Sequence, residues 1–195
     1  MNDYTRKGFV DGRAGRLPTI IVRAGKPNGA TTGCFSGVIR EPLAGIDVEL
    51  PISGDVTHAC GSYRTIAKNL LRLHEASPAA MSKLGVDRTI NMPALTVSLA
   101  TLADALLETV GAAGSAKLGK ISYNIDEDLS KIVDGFPKVI DSSRGEELLG
   151  MEQNPPLPVM IRCVCVTEPA GATPLRSHSS RNVSSLLVLV LHPLV

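Results

Sequence analysis

Leu17, Ile20, Ile21 and Val22 form a nearly unbroken apolar run, the pattern of a strand covered on both faces in a parallel sheet and not of a half-wet hairpin strand. The spacing then changes. Phe35, Val38, Ile39 and Leu43 recur every three or four positions, which predicts a helix over residues 35–43. Residues 46–50 predict a short extended segment before Pro51. Residues 61–76 are amphipathic, with Ile66, Ala67, Leu70, Leu71 and Leu73 expected on the inner side. Residues 88–92 predict a second short extended piece that ends at Pro93. The clearest helix spans residues 97–110, where Leu99, Leu102, Ala103, Leu106, Leu107 and Val110 share helical spacing and Ser98 stands where a cap is needed. Residues 117–123 predict a strand, 126–133 a helix, and 142–149 a last helix stopped by Gly150. Strand and helix alternate, so the expected class is α/β with a parallel sheet.

Composition changes this picture little. The 195 residues are 44% hydrophobic, enough for a substantial core. With 20 basic against 19 acidic side chains, the net charge of +1 gives no electrostatic case for nucleic acid or an anionic membrane. No Trp and 3% aromatics exclude a base-stacking platform. The amino terminus has no apolar core of a signal peptide, so the expected location is cytoplasmic. Cys34, Cys60, Cys163 and Cys165 lack the paired hooks of a structural zinc site, and reduced thiols are expected. Gly114-Ser-Ala-Lys-Leu-Gly-Lys120 fits the first part of a phosphate-binding loop. However, Ile121 stands where a hydroxyl must hold magnesium, and the glycines follow a helix, so a helix-ending turn is expected.

Candidate chemistry gathers after the first strand, because open α/β sheets bind ligands at the carboxyl ends of their strands. Lys26 and Asn28 follow that end, a cation and an amide suited to the carboxylate and hydroxyls of a polyhydroxy acid. Ser36 and Arg40 lie one helical turn apart and can face the same cleft.

Here the residues also carry a family likeness. Leu17-Pro-Thr-Ile-Ile-Val-Arg-Ala-Gly-Lys-Pro-Asn28, followed by Ser36-Gly-Val-Ile-Arg-Glu-Pro-Leu-Ala-Gly45, resembles the carboxyl-terminal half of the NAD-dependent epimerase/dehydratase family of extended short-chain dehydrogenase/reductases. Within it, the match is to the D-erythronate dehydrogenase-like sugar-acid enzymes, and it spans residues 1–150. The resemblance implies a partial Rossmann-like fold holding the substrate-binding region, with the amino-terminal cofactor half missing. It implies NAD as cofactor, with Ala24 and Gly25 on the loop that faces the nicotinamide. Arg64, in Gly-Ser-Tyr-Arg, resembles the family's Ser-Pro-Arg with Tyr63 in place of proline. Arg88 precedes Thr-Ile-Asn-Met-Pro, which is similar to the family's Arg-x-x-Asn-x-Pro. Together Lys26, Asn28, Ser36, Arg40, Arg64 and Arg88 make the implied substrate set.

The family's catalytic Ser, its Tyr-x-x-x-Lys pair and its glycine-rich cofactor turn have no counterpart in the sequence. Tyr4 and Lys7 are three apart where four are needed, and the resemblance places this segment just after the catalytic pair. The chain alone is therefore expected to be inactive. It reads as the substrate-binding part of an oxidoreductase acting on a secondary alcohol of a sugar acid. A nucleotide-sugar epimerase/dehydratase fragment and a non-catalytic partner of a full-length homologue are the alternatives, and a homo-oligomer or an association with such a homologue is compatible with each. Past Gly150 lysine vanishes and prolines crowd, so residues 151–195 are expected to be a non-homologous, disordered tail. Its apolar run at residues 186–191 is too short to span a membrane and is a candidate aggregation segment.

Overall fold

In the computed structural model, which describes residues 1–22 and 31–167, a short helix α1 (Asn2–Arg6) leads into two strands in line, β1 (Ala14–Arg16) and β2 (Thr19–Ile21). The predicted strand at 17–22 is thus shorter than its apolar run. Leu17 and Pro18 separate it from β1, since proline has no N–H to give to a ladder. A single 3-10 turn (Thr31–Gly33) opens α2 (Cys34–Leu43). The chain continues through β3 (Val48–Leu50), β4 (Thr57–Ser62), α3 (Tyr63–Glu75), α4 (Pro78–Lys83), β5 (Thr89–Asn91), β6 (Leu95–Ser98) and α5 (Leu99–Ser115). β7 (Ile121–Tyr123), α6 (Glu127–Asp134), α7 (Ser143–Leu149) and α8 (Leu157–Thr167) complete it.

The strands form three small sheets. β1 pairs in parallel with β5, β3 in parallel with β7, and β4 lies between β2, its parallel neighbour, and the antiparallel β6. The expected α/β class with parallel pairing is what forms, as a partial Rossmann-like fold. The larger core gathers Ile21, Val22, Phe35, Val38, Ile39, Leu99, Leu102, Leu106, Met160 and Ile161. A second core under the β1–β5 pair joins Ile66, Leu73, Met81, Leu84, Ile90, Met92 and Met151.

Helix faces follow the periodicity with two corrections. On α3, Ile66, Asn69 and Leu73 are buried while Ala67 and Leu71 point outward. Positions 67 and 71 lie one turn apart on the face opposite Ile66 and Leu73. On α5, Ser98 caps the first turn by accepting from the Thr101 N–H as expected, but Leu107 is exposed and Ala105 takes an inner place. The glycines at the end of α5 precede β7 and open no helix. Gly150 adopts φ +64 and ends α7, as the sequence predicts.

The boundary expected at Gly150 is not a boundary of the packed fold. Met151, Met160 and Ile161 are buried, and α8 packs on α5. Gly150 has already ended α7 before the prolines, and Pro158 sits in the first turn of the next helix, where a missing N–H costs nothing. The apolar run at 186–191 lies outside the described residues. No helix among the described residues is long and apolar enough to cross a membrane.

Candidate functional site

β2 and β4 run in parallel with Ile21 opposite Ser62. The end of β2 and the β4–α3 junction therefore lie side by side at the carboxyl edge of the sheet, the edge where such sheets bind ligands. Four candidates, Ala24, Gly25, Lys26 and Asn28, lie outside the described residues. The other four can be placed.

Arg64 stands in the first turn of α3, exposed, one residue past the end of the β4–α3 junction. Its Nε donates to the Tyr63 hydroxyl at 2.8 Å, and the guanidinium carbon lies 5.6 Å from the Tyr63 ring centre. Tyr63 is thus what orients Arg64. Ser36 and Arg40 share the face of α2 that their spacing predicts, but Ser36 is buried. Arg40 pairs with Glu41 at 2.5 Å, and the other Glu41 carboxylate oxygen is buried without a hydrogen-bond partner.

Arg88 is held elsewhere. Its Nη1 lies 2.6 Å from Asp11 Oδ1, at the amino end of the β1–β5 ladder, where Ala14 N–H also bonds the Arg88 carbonyl. Asp11 is shared with Arg13, whose hydrogen bond, ahead of the nearby guanidinium charges, keeps its carboxyl below the ordinary carboxylate value. The structure therefore brings Arg64 to the strand-end edge and leaves Arg88 in an ion-pair network at the other end of its own ladder.

Three further residues escape sequence reasoning, and of them Asn154 reaches this edge. His58 is buried on β4 between Phe35 and Phe136, with ring centres 5.0 and 5.7 Å away, and its Nε2 lies 2.6 Å from Thr19 Oγ1. Its Nδ1 has no partner, and burial keeps its pKa below the ordinary 6.5. Asn154 Oδ1 accepts from Ser62 N–H and its Nδ2 donates to the Pro93 carbonyl, both at 2.8 Å. Asn69, fully buried, exchanges two 2.9 Å hydrogen bonds with the Glu152 backbone. Burial also pushes the Cys34 thiol up to about 11 and the Cys60 thiol higher still. Such thiols stay protonated at neutral pH and are poor nucleophiles.

The neutral state of His58 has a measurable consequence. Its folded pKa is depressed, so folding stability is full above the unfolded value near 6.5 and falls as pH drops below it, levelling off below the folded pKa. Urea midpoints should decline between pH 7 and 5, ahead of carboxylate titration, and His58→Asn should flatten that decline. An equal slope in the variant removes His58 as the cause.

Whether the chain can cradle a dinucleotide is tested by its strand–helix joins. The β4–α3 join passes through Gly61, Ser62 and Tyr63 without a glycine fingerprint, and a Cβ at Gly61 would lie 2.8 Å from Pro18. That glycine serves close backbone packing. Among the described residues no Gly-x-Gly-x-x-Gly turn opens a helix, so the described residues do not fit the pyrophosphate of NAD.

No family model matches the chain. It is 35% identical over 144 residues to a D-erythronate dehydrogenase of Haemophilus influenzae, covering 74% of this chain and 44% of that protein. A D-erythronate dehydrogenase of Cupriavidus necator is 36% identical over the same length, covering 74% and 43%. Among solved structures, the nucleoside-diphosphate-sugar epimerase from Agrobacterium tumefaciens superposes with a TM-score of 0.76 at 30% identity, over 88% of this chain and 48% of that one. A GalE-like L-threonine dehydrogenase from Cupriavidus necator gives a TM-score of 0.70 at 22% identity, over 84% and 49%, and so shares the fold. The chain spans less than half the length of the curated relatives it matches.

Proposed function

From a chain that belongs, over about half of its relatives' length, to the NAD-dependent epimerase/dehydratase family on its D-erythronate dehydrogenase-like side, we propose the substrate-binding part of a sugar-acid oxidoreductase. The observation that supports this reading is the parallel β2–β4 pair, which brings the end of β2 beside the β4–α3 junction that carries Arg64. In this reading Lys26 and Arg64 take the carboxylate of a four-carbon sugar acid and Asn28 its hydroxyls, with Ser36 and Arg40 on the helix behind. Arg88, bound to Asp11, is left out of the pocket. Enzymes of the family are NAD-dependent in general; Ala24 and Gly25 would be this chain's only approach to the nicotinamide, and the chain alone transfers no hydride.

Calorimetry on the purified chain tests this. D-erythronate should bind, and Lys26→Ala and Arg64→Gln should each weaken it about tenfold, the loss of one charge-assisted contact. NAD should give no heat, and no NADH should form when both are mixed. Tight NAD binding would overturn the division of labour. A second reading, favoured by the 30% identity to the Agrobacterium epimerase, gives the pocket a nucleoside-diphosphate sugar. UDP-glucose binding in preference to D-erythronate would select it, and binding of neither would favour a non-catalytic partner role.

A further inference from the structure

Two side chains of α3 and the backbone N–H at its entry meet three alternate positions of the segment that follows α7. Arg72 donates to the Gly150 carbonyl at 2.8 Å, Asn69 exchanges its pair of bonds with Glu152, and Ser62 N–H donates to Asn154. Residues 150–154 therefore run along α3 from its carboxyl to its amino end, and deliver the Asn154 amide to the β4–α3 junction. The second half of that amide holds the Pro93 carbonyl, on the chain leaving β5. One side chain thus fastens the β2–β4–β6 sheet to the β1–β5 pair, at the edge where Ile21 lies opposite Ser62.

We propose that Asn154 is a positioning residue of the substrate site: by holding the Ser62 N–H and the Pro93 carbonyl together it fixes the turn that presents Arg64. This rests on the reading of Arg64 as an anion contact. The geometry explains why an exposed arginine could bind with precision. Its Tyr63 partner and its backbone are one and two residues from a fixed point, and Asn154 is itself anchored through the buried Asn69. A side chain that satisfies a donor and an acceptor on two separate elements cannot shift without leaving one unpaired. It follows that residues 150–154 are part of the site and not a dispensable tail.

The test uses the full chain and two readouts. In Asn154→Ala, amide hydrogen exchange measured by NMR should rise about tenfold or more at Ser62, whose N–H Asn154 holds, and stay unchanged at residues 67–71, which keep their helical bonds. Affinity for D-erythronate should fall about as far as in Arg64→Gln, and the double variant should be no weaker than either single one, because both act through the same contact. Arg72→Met, which loosens the same segment without touching Ser62, serves as the stability-matched control and should leave affinity within about twofold. If Asn154→Ala does not fold, Asn154→Asp keeps the acceptor for Ser62 and should keep its amide protected. Unchanged exchange at Ser62, or additive losses in the double variant, overturns the proposal. If the unmodified chain binds no sugar acid, the substrate reading falls by itself, and the exchange data still decide whether Asn154 fixes the turn.

Discussion

Phe35→Ala should cost about 3–5 kcal/mol of folding free energy, the range for removing a fully buried aromatic ring from a core that relaxes only in part. Phe35 is fully buried in α2 and packs in the larger core. It also forms one wall of the His58 pocket, 5.0 Å from that ring. Since domains of this size are stable by only about 5–15 kcal/mol, the variant should lose a large share of its total. The lost ring opens space beside the unpartnered Nδ1 of His58, so the decline in stability below pH 6.5 should become shallower as water reaches the imidazole. Phe35→Leu, which keeps most of the apolar volume, should cost less than half as much. Urea unfolding followed by far-ultraviolet circular dichroism reads both effects in a chain that has no Trp. A loss below about 1 kcal/mol in Phe35→Ala would mean that α2 does not pack tightly over β4.

What the sequence made legible follows from how far each signal reaches along the chain. Helices α2, α3, α5, α6 and α7 were visible because their inner faces repeat every three or four residues, and Ser98, Asp126 and Gly150 mark their ends locally. β4 was not. Thr57-His-Ala-Cys-Gly-Ser62 is buried almost throughout, yet it has neither the alternation nor the branched apolar run that marks a strand. Its polar groups meet distant partners, Thr19 at the His58 Nε2 and Asn154 at the Ser62 backbone N–H. β6 was absorbed into the following helix because Val97 continues the helical spacing of Leu99 and Leu102 backward. At the candidate site, the spacing that sets Ser36 and Arg40 on one face of α2 was readable. The roles of Asn69 and Asn154 were not, because each is defined by a partner more than 80 positions away in the chain. Proline crowding after Gly150 suggested a loose end for the same reason: the burial of Met160 and Ile161 depends on α5 and is written nowhere nearby.

Arg13 offers the second large effect, and it also separates structural cations from those proposed to meet substrate. Its side chain is nearly fully buried, with Nη1 donating to the Leu73 and His74 carbonyls at 2.8 and 2.5 Å, while Nε and Nη2 grip Asp11. Carbonyls in the last turn of a helix have no intrahelical donors and carry the negative end of its dipole, so a buried guanidinium there closes α3 chemically and electrostatically. Arg13→Met keeps the length of the stem and removes every donor. It strands one buried and one part-buried carbonyl at a cost of about 1–3 kcal/mol each if water cannot reach them, and a net loss of about 3 kcal/mol is expected. Arg13→Lys, a single point charge without the fork, should recover only part of it. Arg88→Met is the informative contrast. Its pair with the half-exposed Asp11 is screened, and its removal should cost under about 1 kcal/mol. It should also leave D-erythronate affinity where it was, whereas Arg64→Gln lowers it. Should Arg88→Met instead weaken sugar-acid binding as much as Arg64→Gln does, Arg88 belongs to the pocket and its bond to Asp11 is a resting arrangement that the ligand replaces.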